Sequence, residues 1–206
     1  YKLKNNLETD PNNQSRRVYP SLAVKNLNHI LRILNRGKIK FQKSYYKKKP
    51  LIPSVIIQET SLNLIELIDL KFFKTIINPI EKSKWSLHHI NLESYNVRST
   101  ADFIALYLNL KEGSWIPPKK LGKVNIEKKQ LSIFPLNNNH GGIHINKADF
   151  MFSIRNNFIH NPTIGGHPAF KIKNIKEFIL RLKKLKIPFT DAKIYAMPNI
   201  YQIYIY

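Results

Sequence analysis

Residues 87–118 read LHHINLESYNVRSTADFIALYLNLKEGSWIPP. Leu87-His88-His89-Ile90-Asn91-Leu92 alternates as a strand does, which puts Leu87, His89 and Asn91 on one face and His88, Ile90 and Leu92 on the other. By that alternation only one of the two adjacent histidines faces an interior. Asn96 then offers an N-cap, Ala101, Ile104 and Leu108 recur at helical spacing, and Gly113 follows the end. The pattern is a strand and then a helix. It returns at residues 165–189, GGHPAFKIKNIKEFILRLKKLKIPF, where His167 to Ile172 reads as a strand and Asn174 with Glu177 resembles a capping box. Ile175, Phe178, Ile179, Leu182 and Leu185 share one helix face, and Pro188 stops the helix. Further strands are expected at 123–134, 142–146, Ala192 to Ala196 and Tyr201 to Tyr206, with Asn/Gly-rich turns at 137–142. From about Trp85 the order is strand, helix, strands, twice over, which is an internal duplication.

These residues carry a family resemblance. The 87–118 stretch resembles the opening of a vicinal oxygen chelate domain, the family of glyoxalases, bleomycin-resistance proteins and extradiol dioxygenases. GGIHINK, residues 141–147, is similar to that family's second ligand strand, and 165–189 to the start of its second module. The resemblance covers about 85–206 and implies an α+β fold in which paired βαβββ modules form a half-open barrel around a metal and substrate pocket. It implies His89, His144 and His167 as three of four metal ligands, for which imidazole suits Zn, Ni or Fe. The fourth would be a glutamate in a closing segment that has no counterpart up to Tyr206, the last carboxylate being Asp191. In the glyoxalase branch that glutamate is also a base, so the resemblance implies either a terminal segment not included here or an incomplete site. Taken singly, a strand histidine is more often structural than a ligand, and only their joint spacing speaks for a metal.

The remainder of the chain is dominated by charge. The 206 residues hold 34 Lys+Arg against 13 Asp+Glu, a formal net charge of +21. Between Arg16 and Lys49 stand Arg16, Arg17, Lys25, Arg32, Arg36, Lys38, Lys40, Lys43, Lys47, Lys48 and Lys49, with no acid among them. Residues 1–20 are polar and aperiodic and read as an extended arm. Leu22, Val24, Leu27, Ile30, Leu31 and Leu34 predict a basic amphipathic helix from Ser21 to Gly37, and Leu62, Leu64, Ile65, Leu67, Ile68 and Leu70 a second helix. Between them Phe41, Tyr45 and Tyr46 alternate with lysines, a mixture suited to phosphate contact and base stacking, or else a solvated linker. Lys183 and Lys184 extend the basic bias to the last helix. Residues 1–84 are thus read as a basic N-terminal extension with amphipathic helices, and 85–206 as the chelate-like domain.

Composition excludes other classes. With 43% apolar residues the chain can build a core, while its apolar runs are too short or too charged to span a bilayer. No cysteine is present, hence no disulfide framework or thiolate site. The start at Tyr1 implies a removed leader or residues not included. Gly141-Gly142 and Gly165-Gly166 sit in no phosphate-loop pattern, so no nucleotide cofactor is expected; a divalent metal is the one cofactor left open.

Two readings of function follow. The first is a structural, non-enzymatic RNA-binding component of a large ribonucleoprotein, most plausibly an organellar ribosome of the mitochondrial matrix, with rRNA and neighbouring proteins as partners and the chelate fold as scaffold. The alternative is a metal-dependent lyase, isomerase or dioxygenase of the resembled family.

Overall fold

The computed structural model describes residues 19–47, 51–72, 85–114, 130–136, 141–194 and 200–205. The chain divides into two compact units, Tyr1–Lys82 with Ser99–Leu110, and Ser83–Arg98 with Lys111–Tyr206.

In the first unit the described residues run β1 (Ser21–Val24), α1 (Leu27–Arg36), β2 (Phe41–Lys47), β3 (Ile52–Gln58) and β4 (Leu64–Asp69), ending in a short 3-10 turn at Leu70–Phe72. The strands make a four-stranded sheet in the order β1-β4-β3-β2, with β1 parallel to β4 and the other pairs antiparallel. This is a βαβββ unit. Ile52, Val55, Ile56, Ile57, Ile65, Leu67 and Ile68 are almost wholly buried. Each such side chain stabilises the fold by roughly 1.5–3 kcal/mol. Leu27, Ile30 and Leu34 form the buried stripe of α1, which Asn26 caps by accepting the His29 N–H at 2.9 Å.

Two sequence expectations are corrected in this unit. Of the residues 62–70 expected to be helical, Leu64–Asp69 form β4 instead. A strand buried on both faces reads as a near-continuous apolar run, which matches helical spacing as well as it matches a strand. The helix expected from Ser21 begins six residues later, because Ser21–Val24 pairs with β4 and the Ser21 hydroxyl donates to Glu66 at 2.5 Å instead of capping. Phe41–Lys47 is likewise an antiparallel strand and no linker.

The second unit contains β5 (Trp85–Ser94), and helix α2 (Val97–Leu108) leaves it at Arg98. Next come β6 (Leu131–Pro135), β7 (Gly142–Lys147), the short α3 (Phe152–Asn156), β8 (His167–Ile172), α4 (Ile175–Lys184), β9 (Phe189–Ile194) and β10 (Tyr201–Ile205). One sheet has the order β6-β7-β5-β8, and β9 and β10 pair antiparallel as a second. Asn174 caps α4, with the Glu177 N–H donating to its Oδ1 at 3.1 Å and its side-chain Nδ2 donating to the Glu177 carboxylate at 3.2 Å, a side-chain variant of the expected capping box. Helix α3 carries no signal strong enough to have been expected.

The architecture is the expected mixed α+β class with βαβββ connectivity. Among the described residues no helix is long and apolar enough to cross a membrane.

Candidate functional site

Strand β5 lies inside its sheet, parallel to β7 on one side and antiparallel to β8 on the other. His89 is opposite Gly142 and Asn91 is opposite His144, so the side chains of His89, Asn91 and His144 leave the same face. Asn91 is also opposite His167 on β8, which adds the third histidine. The three imidazoles predicted from the sequence are thereby brought together from three adjacent strands. The His89 and His144 rings stack at 3.8 Å, and the His167 ring is 5.8 Å from His89. Pro168 is tolerated because β8 has β5 as its hydrogen-bonded neighbour and its other edge lies outside that sheet.

His88 corrects the alternation argument. The β5–β8 register shifts between Leu87 and His89, so a bulge breaks the period of two at His88. The consequence is that both neighbours reach the same cluster. His88 Nδ1 lies 2.8 Å from His89 Nδ1, and its ring is 6.2 Å from that of His144. No residue-type pattern in the sequence marks this bulge.

Burial governs the electrostatics. It holds the His89 imidazole down at about 2 against an ordinary 6.5, with the charges of His144, His167 and His88 adding to the effect. His167 is lowered to about 4, again chiefly by burial and then by His160, with a hydrogen bond to the Pro162 backbone opposing. Both rings are therefore neutral at pH 7. His167 Nδ1 is buried and has no hydrogen-bond partner among the described residues. Tyr204, 5.5 Å away, is held above its usual range by burial and stays un-ionised.

Two polar residues that sequence reasoning did not single out complete the face. Asn91 is 2% exposed, and neither its Oδ1 nor its Nδ2 finds a partner among the described residues. Glu93, also 2% exposed, accepts the Gly165 N–H at 2.6 Å and so ties down the turn that leads into His167. Gly166 in that turn has φ +67°, and a Cβ there would stand 2.5 Å from the Asn91 carbonyl oxygen. Glycine is what lets β8 come so close.

The family resemblance implies a metal, and the donor set can be tested against it. Neutral imidazoles, with the buried His167 Nδ1 unpartnered among the described residues, are the right chemistry for a divalent ion. In the ring placement seen, no three His, Asp or Glu side chains among the described residues are disposed to hold one ion.

The residues expected to meet RNA lie elsewhere. Lys25, Arg32, Arg36, Lys38, Lys40, Lys43, Tyr45, Tyr46, Lys183 and Lys184 are exposed, while Arg16, Arg17, Lys48, Lys49 and the side chain of Lys47 fall outside the described residues.

No protein-family model matches the chain, and no curated protein does. Solved structures do. The 2,3-dioxygenase LapB from Pseudomonas sp. KL28 aligns with a TM-score of 0.52 and 11% identity, over 83% of this chain and 60% of its own. A catechol 2,3-dioxygenase gives 0.51 and 12%, over 83% and 61%. The 2,2',3-trihydroxybiphenyl 1,2-dioxygenase of Sphingomonas wittichii strain RW1 gives 0.51 and 11%, over 85% and 62%. This chain spans about 60% of the length of these neighbours. Coverage of 83% is more than residues 85–206 can supply, so the basic first third takes part in the shared fold. That corrects the ribosomal, RNA-binding and mitochondrial reading, which rested on an appended cationic arm: among the described residues Ser21–Val24, Phe41–Lys47, Ile52–Gln58 and Leu64–Asp69 form a sheet, and the neighbours in fold are dioxygenases. This chain shares its fold with these dioxygenases, at low sequence identity.

Proposed function

We propose that the histidine face of the second unit is the active site of a metal-dependent enzyme, and that its chemistry is the oxidation of a vicinal aromatic diol, as the names of the structural neighbours indicate for those proteins. The observation that carries this is the convergence of His89, His144 and His167 from β5, β7 and β8, with the first and last held neutral by burial. His89, His144 and His167 would hold the ion once their rings turn out of the His89–His144 stack, the placement in which no three of them are disposed to share one. A bound divalent ion acts as a Lewis acid on a ligated hydroxyl and lowers its pKa.

The chain's own residues supply the remainder. Glu93 fixes the Gly165 turn and with it the height of His167 on the sheet. The Pro162 backbone, which favours the protonated His167 ring, stands where a partner behind a metal-binding histidine would orient it. The un-ionised Tyr204 phenol beside His167 can hold or pass a proton at its oxygen.

Equilibrium dialysis of the purified chain against Fe(II), Ni(II) and Zn(II) tests the reading. One ion per chain is expected, lost in His144→Ala and in His167→Ala. A folded wild-type chain that retains none of the three ions refutes it.

A further inference from the structure

We propose that Asn91 is the residue that orients the substrate, its carboxamide receiving a vicinal diol through a paired acceptor and donor. The inference rests on the reading of the histidine face as the active site. Asn91 is 2% exposed, and both polar atoms of its side chain are buried without partners among the described residues. Buried polar groups are almost always paired, because desolvation without a hydrogen bond costs stability. An asparagine serving the fold would spend its carboxamide on a backbone or side-chain neighbour, and this one does not. A leucine of similar size would fill the same space with nothing left unsatisfied.

The position of Asn91 says which ligand would use the pair. It is opposite His144 across the parallel ladder and opposite His167 across the antiparallel one, on the histidine side of the sheet. Directly opposed side chains start about 4.5–5.5 Å apart at Cβ, within reach of one small molecule. A carboxamide presents an acceptor oxygen and a donor nitrogen side by side. The complement is a molecule with a hydroxyl donor next to an acceptor oxygen, and a vicinal diol has that arrangement, one hydroxyl giving its proton to Oδ1 and the neighbouring oxygen accepting from Nδ2. A monophenol satisfies only one of the two atoms. Because a site built to bond a hydroxyl discriminates strongly against the analogue that lacks it, Asn91 becomes a specificity residue for diol over monool.

The test uses the whole chain, with catechol and phenol as probes, in Asn91→Leu and Asn91→Ala. Calorimetric titration of catechol should show affinity falling by about tenfold in both variants, the loss of two ordinary hydrogen bonds. Phenol should change by less than about threefold. Urea unfolding should show Asn91→Leu at a higher midpoint than wild type, since an unsatisfied carboxamide has been removed from the interior. A lower midpoint for Asn91→Leu marks a structural asparagine and overturns the inference, as does unchanged catechol affinity or a wild-type chain that binds no catechol. Metal dialysis on the same variants separates this from the active-site reading. Ion binding kept in Asn91→Leu with catechol affinity unaltered removes the inference alone, whereas no ion bound by wild type removes the active-site reading whatever the stability measurement shows.

Discussion

Acidification should destabilise this protein earlier than carboxylate titration alone would. His89 and His167 titrate at about 2 and about 4 in the folded chain, against 6.5 for a free imidazole. Between 6.5 and 4 the unfolded state therefore takes up two protons that the folded state refuses, and stability falls as pH falls. Each group costs about 1.4 kcal/mol per pH unit over that window. At pH 5, one and a half units below the unfolded value, the loss is about 2 kcal/mol for each histidine and about 4 kcal/mol for the pair. Against a typical domain stability of roughly 5–15 kcal/mol this is a large fraction. The assay is urea unfolding by circular dichroism at pH 7.5, 6.5, 5.5 and 5.0, with a chelator present so that no ion competes with protons. The expected midpoint is constant from 7.5 to 6.5 and then drops steeply. In a His89→Gln/His167→Gln chain the drop should shrink to what the carboxylates leave. A wild-type midpoint level down to pH 5, or a double variant with the full drop, refutes the electrostatic reasoning.

Three further perturbations probe each unit's own packing. Glu59→Ala removes the buried carboxylate that accepts the Ser61 and Asn63 N–H groups at 2.7 and 2.9 Å and the Thr100 hydroxyl at 2.8 Å. Unsatisfied donors cost about 1–3 kcal/mol each, so chemical denaturation should show a loss of at least about 3 kcal/mol. Gly166→Ala forces a Cβ to 2.5 Å from the Asn91 carbonyl oxygen in a left-handed backbone, and should lower stability by about 2 kcal/mol or more while loosening ion binding measured by dialysis. Asn26→Ala, far smaller in effect, should cost about 1 kcal/mol in the same denaturation assay through loss of the α1 cap, with ion binding unchanged.

The sequence was most readable where one physical rule acted alone. Asn174 and Glu177 announced α4 because a capping box depends on residues three apart, and the strand from His167 and the helix to Leu108 followed from clean periodicity. It misled where two rules shared a pattern. Leu64–Asp69 is central in its sheet and buried on both faces, so nothing in its apolar run distinguishes a strand from a helix. Charge misled more seriously. Lys25, Arg32, Arg36, Lys38 and Lys40 cover a sheet and helix whose apolar residues face inward, and net charge carries no information about fold. Of the site, His89, His144 and His167 were visible as spacing, whereas His88 depended on a bulge and Asn91 on a cross-strand register that exists only after folding.

Anomalous diffraction from crystals of the full chain grown with Zn(II) or Ni(II) addresses the central claim most directly. The account predicts one strong peak per chain within coordinating distance of His89, His144 and His167, with the His89–His144 stack opened. A well-ordered cluster that keeps the stack and shows no peak contradicts it.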